Sequence, residues 1–314
     1  MDVIPKLDLT DFISGNPESK AKFVADLGHA YTEIGFVAIR NHGIPQHDLS
    51  KLYECVEAFF HLNTEVKMKY DDTKGGGQRG YTGFGKEHAK NRNAGDLKEF
   101  WHFGQFIDRS DSNAPTFPQN KIVDEIPDFN IYGEKIYKAL ENTGVQMLRA
   151  IALYLGLDED YFDKKVWNGN SILRAIHYPP INQDPKDAIR AGEHEDINLI
   201  TLLVGASADG LEVLNKQGKY IGVTEVTDHI VVNVGDMLER LTNDKLKSTT
   251  HRVVNPPQDK WHEPRFSIPF FLHPRPEVRL DCLENCIDEQ NPKKYEDCNA
   301  NEFLIQRLTE IGLI

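Results

Sequence analysis

The sequence of 314 residues has few or none of the features that mark several other protein classes. Three of its four cysteines crowd into residues 282–298, but they form neither a CxxC pair nor a zinc-finger pattern with histidine, so we expect reduced thiols. No stretch approaches the ~20 apolar residues that a membrane span needs. The start lacks the charged and then apolar segments of a secretory signal. We therefore expect a cytoplasmic protein with no membrane partner.

Positive charge is also in short supply, because 36 Lys and Arg residues face 49 Asp and Glu residues and the formal net charge is -13. Proteins that bind nucleic acid concentrate basic residues on one face, so we expect no nucleic-acid partner. The glycine-rich segment 74–84 is not closed by Gly-Lys-Ser/Thr and does not follow a strand as a phosphate-binding loop does. We interpret it as a loop that forms a mobile wall beside an active site.

The residues that are present predict one catalytic domain whose first half has helical patterns and whose second half has strand patterns. With 39% hydrophobic and 10% aromatic residues, the chain can bury a sizeable core. Apolar residues recur at helical spacing in the first half, and short β-branched and aromatic runs separated by turns begin at about residue 171. The helical stripes are Val24, Leu27, Tyr31 and Ile34; Leu49, Leu52, Val56 and Phe59; and Ile136, Leu140, Met147, Ile151 and Tyr154. These patterns predict a double-sheet β architecture with mostly N-terminal helices, plus a final helix from Glu302 to Glu310 that packs on the body.

A candidate metal site begins at His194 and Asp196. In extended backbone, side chains two residues apart share a face, so both would point one way while Glu195 points the other. His251 follows after enough chain for several antiparallel strands to return it beside them. Two imidazoles and one carboxylate form the facial triad of non-haem Fe(II) oxygenases, and we call His194, Asp196 and His251 the metal triad. With 12 histidines in the chain, a chance His-x-Asp pair is the alternative.

A second pair two residues apart, Arg265 and Ser267, predicts a carboxylate anchor. The planar guanidinium fork matches a carboxylate, and the hydroxyl adds a donor. The alternative is a surface salt bridge. Because Phe266 and Ile268 surround the pair with apolar bulk, a buried arginine here would need an anionic partner, which favours a ligand or an internal acid.

Taken in order, these motifs resemble one family, the isopenicillin N synthase-like branch of the 2-oxoglutarate/Fe(II)-dependent dioxygenases. The resemblance extends nearly end to end. The residues that carry it are Ile4-Pro5-x-Leu7-Asp8-Leu9, Gly35-Phe36, Asn41-His42-Gly43-Ile44-Pro45, Leu173-Arg174, Tyr178-Pro179-Pro180, His194-x-Asp196, Gly210-Leu211-Glu212-Val213, Asn233-x-Gly235-Asp236, Thr242-Asn243, His251-Arg252-Val253 and Arg265-x-Ser267.

The resemblance implies a mixed α/β (α+β) fold whose core is a double-stranded β-helix, or distorted jelly roll. N-terminal helices would pack around this core and a C-terminal helix would follow it. The expected regions are 1–165, a mixed N-terminal region of the non-haem dioxygenase type; 166–285, the jelly-roll oxygenase core; and 286–314, a C-terminal helical extension. The sequence does not fix the oligomeric state, and a monomer is compatible with it.

The resemblance also implies the cofactors. The metal triad would bind Fe(II), 2-oxoglutarate would chelate the iron while its far carboxylate meets Arg265 and Ser267, and O2 would complete the set. Tyr178 would help to hold the nearer end. The family often has Asn-Tyr-Tyr before its proline pair, whereas this chain has Ile176-His177-Tyr178, so only the tyrosine carries over.

The implied function is oxidation, above all hydroxylation, of a small molecule with release of succinate and CO2. One alternative is an oxidase of the isopenicillin N synthase or aminocyclopropane-carboxylate oxidase kind, which does not use 2-oxoglutarate. An alternative of another class is a protein that binds a metal or organic acid without turnover. A coordinatively open triad argues against that last hypothesis, since structural sites tend to be closed.

Substrate contacts are expected from residues outside the shared motifs. The candidates are Arg79, Tyr81, Phe84, Phe100, Trp101, His102, His177 and Phe271. Each could instead be a core residue, because aromatic side chains are most often simply buried. Arg79 hints at an acidic substrate, although a lone arginine near glycines is more often a solvated loop residue.

Overall fold

The computed structural model describes residues 3–71, 78–86, 96–108, 110–186, 188–204, 210–223 and 228–310. The helices are α1 (Leu9–Ile13), α2 (Pro17–Glu33), α3 (Gln46–Phe60), α4 (Thr64–Met68), α5 (Asp128–Tyr154), α6 (Asp163–Val166), α7 (Asp236–Leu241) and α8 (Ala300–Glu310). The strands are β1 (Lys6–Asp8), β2 (Phe36–Arg40), β3 (Gly80–Thr82), β4 (Glu99–Gly104), β5 (Ile172–Tyr178), β6 (Ala191–His194), β7 (Ile200–Val204), β8 (Leu211–Leu214), β9 (Tyr220–Gly222), β10 (His229–Val234), β11 (His251–Val253) and β12 (Arg265–Leu272). Within these ranges, no helix is both long and apolar enough to cross a membrane.

The strands form two sheets with a cavity between them. The larger has the order β1-β2-β10-β7-β12-β5-β4-β3 and is antiparallel except where β1 meets β2. The smaller is antiparallel with the order β6-β11-β8-β9. Non-consecutive neighbours in both sheets are those of a double-stranded β-helix, so the predicted mixed fold with a jelly-roll core is confirmed.

The helices cover one face of the larger sheet, and the other face looks into the cavity. Side chains alternate between the faces, so Leu202 and Phe270 pack toward α5 while their strand neighbours face inward. Burying such a side chain contributes ~1.5–3 kcal/mol to folding. The 27-residue α5 approaches closely because Gly133 leaves room for the ring of Phe103, where a Cβ atom would lie 2.4 Å from the ring.

The structure corrects two sequence interpretations. In the glycine-rich segment, residues 74–77 lie outside the described residues, but Gly80–Thr82 is an edge strand because it pairs with β4. Asp196 does not lie on an extended strand with His194; it follows β6 in the connection to β7. The strands beginning at Ile172, Leu211 and Arg265 form as predicted.

Candidate metal centre and its cavity

The metal triad comes together at one end of the cavity. His194 ends β6 and His251 begins β11, and the two residues are direct cross-strand partners. Asp196 approaches them from the connection after β6. One ligand atom from each residue lies within 4.8 Å of the others, which is the spacing of side chains that share one ion. The convergence expected from the sequence is therefore present.

Backbone carbonyl groups orient both imidazoles. The Nδ1 atom of His194 lies 2.7 Å from the carbonyl oxygen of Gly192, and that of His251 lies 3.0 Å from the carbonyl oxygen of Thr249. A carbonyl can only accept, so Nδ1 carries the proton in both rings. The Nε2 lone pairs are left for a metal, as in most histidine metal sites.

Hydrogen bonds fix the carboxylate of Asp196 in a matching way. Its Oδ2 atom accepts from the Thr201 hydroxyl at 2.7 Å and from the Asn233 amide at 2.8 Å. Its Oδ1 atom faces His251, at 3.9 Å from Nε2. One carboxylate oxygen and two imidazole nitrogens on one side of a point fit Fe(II), which other ligands could approach from the open side.

The electrostatics keep His194 and Asp196 in their metal-binding protonation states. Burial, with a contribution from His251, lowers the pKa of His194 to about 4, so its imidazole is neutral near pH 7. Burial acts to raise the pKa of Asp196, but the two imidazoles and the hydrogen bonds from Asn233 and Thr201 together bring it below its usual range. A neutral imidazole and an ionised carboxylate are the forms that bind a metal.

The C-terminal helix reaches this region through Asp236. The backbone N–H of Asp236 donates to the carbonyl oxygen of Asp196 at 2.7 Å. Its carboxylate accepts from the Ser248 hydroxyl at 2.7 Å and pairs with Arg307 of α8 at 3.0 Å. Asp236 therefore links the segments that carry Asp196 and His251 to the last helix.

The predicted carboxylate anchor faces the same cavity. Arg265 and Ser267 lie on β12 with exposures of 1% and 3%, and Arg265 pairs in register with Tyr178 on β5. The guanidinium carbon lies 5.0 Å from the centre of the Tyr178 ring. The space between the two sheets is about 620 Å³ when the open solvent at its mouth is included. Its described wall comprises Phe36, Lys98, Arg174, Ile176, Tyr178, Ala191, His194, Asp196, Thr201, Leu203, Leu211, Val231, Asn233, His251, Val253, Arg265, Ser267, Pro269 and Phe271.

Of the expected substrate contacts, Phe271 lines the cavity. Phe100 and His102 lie on the cavity side of the larger sheet, since they pair with Ile176 and Arg174. Their side chains contact Arg174 and are not among the described residues that line the cavity. The Phe100 ring lies 4.2 Å from the guanidinium carbon, and Arg174 Nε donates to His102 Nε2 at 2.6 Å.

Tyr81 and His177 point away from the metal, because His177 alternates with Tyr178 along β5. Both bind the buried carboxylate of Glu99 on the helix side of the sheet. His177 Nδ1 lies 2.8 Å from Glu99 Oε1, the Tyr81 hydroxyl donates to Oε2, and Lys67 Nζ donates to Oε2 at 2.8 Å. We call these four residues the Glu99 cluster.

The other expected contacts also lie elsewhere. Arg79 is buried, at 1% exposure, and donates to the carbonyl oxygens of Gln78 and Pro118. Trp101 is fully buried in the aromatic core, and Phe84 is 53% exposed. Lone aromatic and basic residues near a glycine-rich stretch therefore gave little information about the cavity.

Sequence reasoning missed Arg174, Lys98 and Thr201 as residues of the cavity wall. A usable signal was present for the first. Counting back from Tyr178 in steps of two along an extended run places Arg174 on the same face. Thr201 carried no comparable signal, since its role depends on how the 195–199 turn folds back.

Comparisons with known proteins agree with this geometry. The family described as 2OG-Fe(II) oxygenase superfamily matches residues 169–274, and the one described as non-haem dioxygenase in morphine synthesis N-terminal matches residues 4–125. The chain is 30% identical to the 2-oxoglutarate-Fe(II) type oxidoreductase ppzC of Metarhizium majus, over 97% of this chain and 86% of that protein.

Two solved structures are similar over almost their whole length. A 2OG-Fe(II) oxygenase family protein from Caulobacter crescentus superposes with a TM-score of 0.87 at 40% identity, covering 99% of this chain and 100% of that one. A full-length Neurospora crassa protein in complex with alpha-KG and thymine superposes with a TM-score of 0.86 at 30% identity, covering 98% and 97%. The chain therefore belongs to the 2OG-Fe(II) oxygenase superfamily.

Proposed function

We propose that this protein is an Fe(II)- and 2-oxoglutarate-dependent dioxygenase that hydroxylates a small molecule, with the metal triad as its iron ligands. The observation that carries the proposal is that the triad and the Arg265–Ser267 pair face one cavity. The balanced reaction converts 2-oxoglutarate, O2 and a substrate C–H group into succinate, CO2 and an alcohol. One oxygen atom enters succinate and the other enters the product.

When bound, Fe(II) supplies the oxidative chemistry, and the protein supplies binding and orientation. His194 and His251 would bind it through their Nε2 lone pairs, and Asp196 through the carboxylate oxygen turned toward them. Backbone carbonyls and two hydrogen bonds hold these donors in place before the metal arrives. Little reorganisation is then needed on binding.

We assign the far carboxylate of 2-oxoglutarate to Arg265 and Ser267. The guanidinium fork can donate two parallel hydrogen bonds and the hydroxyl a third. Tyr178, which we expected at the nearer end of 2-oxoglutarate, lies beside this anchor, because its ring is 5.0 Å from the guanidinium carbon of Arg265.

The remaining wall is largely apolar and limits the access of water to the reacting carbon. Phe36, Leu203, Leu211 and Val253 contribute to it. Neither alternative function gains support from a specific feature of the cavity. The relatives described as 2-oxoglutarate-Fe(II) oxidoreductases favour the 2-oxoglutarate-dependent reaction, and the thymine bound to the Neurospora crassa protein is consistent with a small-molecule substrate.

Anaerobic titration with Fe(II) and 2-oxoglutarate tests the proposal. The purified protein should develop the metal-to-ligand charge-transfer absorption of a chelated oxoacid, and admitting O2 should release succinate. Arg265→Gln should raise the Kd of 2-oxoglutarate about 10- to 100-fold, the cost of a charge-assisted hydrogen-bond pair. Oxygen uptake that is independent of 2-oxoglutarate would refute the proposal and support the oxidase alternative.

A further inference from the structure

Arg190 is a second buried guanidinium beside the predicted carboxylate anchor. It directly precedes β6 and is 2% exposed. Its guanidinium carbon lies 5.9 Å from the centre of the Tyr178 ring, and that of Arg265 lies 5.0 Å from the same centre. The two guanidinium carbons are therefore at most about 11 Å apart, a distance over which charges in a buried site interact.

The positive charge of Arg190 has little compensation among the described residues. Its Nη2 donates to the backbone carbonyl oxygen of Glu263 at 3.0 Å, and this acceptor carries no net charge. Its Nε is buried and has no hydrogen-bond partner within the described part of the chain. The carboxylate of Glu263 attracts the guanidinium, but that side chain is 53% exposed, so water weakens the attraction.

Arg265 adds to the cost of this buried charge. Burial and the nearby charge of Arg265 lower the pKa of Arg190 to about 10, so Arg190 is still charged near pH 7. Arginine side chains do not lose their proton in proteins at this pH, so the two guanidinium groups repel each other. An anion bound at Arg265 would offset that repulsion.

The charge of Arg190 can act on such an anion without contact. Arg190 is not among the described residues that line the cavity, whereas Arg265 is. Contact with the ligand therefore falls to Arg265, and Arg190 contributes through the electrostatic potential at this end of the cavity. Across about 11 Å at an effective dielectric constant of about 20, and with some screening by solvent, this attraction corresponds to a roughly three- to tenfold change in Kd.

We propose that Arg190 is a specificity-determining residue for the co-substrate, because its charge strengthens the binding of the far carboxylate of 2-oxoglutarate at Arg265. The inference rests on the proposed function. An oxoacid that ends in an apolar group has no second negative charge for Arg190 to attract. The two arginines together thus favour a 2-oxoacid that carries a second carboxylate.

The test compares two substitutions of Arg190 by anaerobic titration of the Fe(II)-loaded protein, with the charge-transfer absorption as the signal of binding. Arg190→Gln keeps an N–H donor for the carbonyl oxygen of Glu263 and loses the charge, so it should raise the Kd of 2-oxoglutarate about three- to tenfold. Arg190→Lys keeps the charge and should stay within about twofold of wild type. A pH of about 6.5 is used because a buried lysine loses its proton more readily than an arginine.

A second ligand separates the charge effect from a disturbance of the chelating end. In 2-oxopentanoate a methyl group replaces the far carboxylate of 2-oxoglutarate. Its Kd should therefore change by less than about twofold in Arg190→Gln.

A matched variant controls for the change in net charge. Arg149→Gln removes a cation that pairs with Asp163 at 2.7 Å, between α5 and α6, and it should leave both Kd values unchanged. Calorimetric titration of the metal-free proteins with Co(II) should give the wild-type affinity for all three variants, which also shows that they fold. Arg190→Met, which is also neutral, takes the place of Arg190→Gln if the latter loses Co(II) affinity.

The outcomes separate this inference from the proposed function. An unchanged Kd of 2-oxoglutarate in Arg190→Gln would overturn the role of Arg190. Equal losses in Arg190→Gln and Arg190→Lys, or an equal loss for 2-oxopentanoate, would also overturn it and assign Arg190 a structural role. Failure of the wild type to bind 2-oxoglutarate in the presence of Fe(II) would instead overturn the proposed function.

Discussion

The hydrogen bond from Thr201 to Asp196 allows a sharp test of how the protein prepares its metal ligand. Thr201→Val replaces a hydroxyl with a methyl group of nearly the same size and removes a 2.7 Å donor from Oδ2. A hydrogen bond to a charged group contributes ~1.5–3 kcal/mol, and the Asn233 amide at 2.8 Å still holds the same oxygen. We expect metal affinity to fall by about tenfold, the lower end of the range for residues that support metal ligands.

The assay is calorimetric titration of the metal-free protein with Fe(II) under anaerobic conditions, or with Co(II) as an air-stable substitute. Thr143→Val is a matched control, because the Thr143 hydroxyl also donates to a buried acceptor, the carbonyl oxygen of His42 at 2.7 Å, but lies on α5 away from the cavity. Both variants should lose similar stability, and only Thr201→Val should lose metal affinity. Equal metal affinities for the two variants would refute the argument that Thr201 positions Asp196.

Three further predictions follow from the same contacts. Asp196→Ala should abolish Fe(II) binding measured by calorimetry while the far-ultraviolet circular dichroism stays that of the folded protein; retained binding would exclude Asp196 as a ligand. Lys67→Met removes one partner of a buried ion pair, so it should lower the free energy of unfolding in urea by roughly 3–5 kcal/mol. It should leave 2-oxoglutarate binding intact, and a loss of binding at full stability would show that the Glu99 cluster contributes to the active site. Burial lowers the pKa of His273 to about 4, so the unfolded chain binds more protons than the folded protein between about pH 6.5 and 4, and stability falls as the pH drops through this window. His273→Gln should flatten that fall by up to roughly 3 kcal/mol, and identical pH profiles of unfolding free energy would contradict the assignment.

Much of the fold and the metal triad could be predicted from the sequence, because both depend on short-range patterns. Runs of β-branched residues predicted β5 and β12, and the two-residue spacing of Arg265 and Ser267 placed both on one face. His251 was proposed because enough chain separates it from Asp196 for several strands to return it, and the family resemblance then supported that choice. These predictions do not depend on the exact strand boundaries.

The substrate wall was less predictable, because it depends on which face of a strand looks inward. His177 and Tyr178 are adjacent, so one must face the helices, and only the pairing of β5 with β12 shows which. The strand β4 went unrecognised, so Phe100 and His102 could not be placed relative to Arg174. Arg79 was considered as an acid-binding residue, whereas the arginines that line the described part of the cavity are Arg174 and Arg265.

Through the ion pair between Arg307 and Asp236, the last helix stabilises the segments that carry the iron ligands. Arg307 pairs with the carboxylate of Asp236, and the backbone N–H of Asp236 donates to the carbonyl oxygen of Asp196. A chain cut before residue 300 should keep its two sheets yet hold metal less firmly. A bulky fusion after the last helix should also weaken metal binding, so an affinity tag is better placed at the N-terminus.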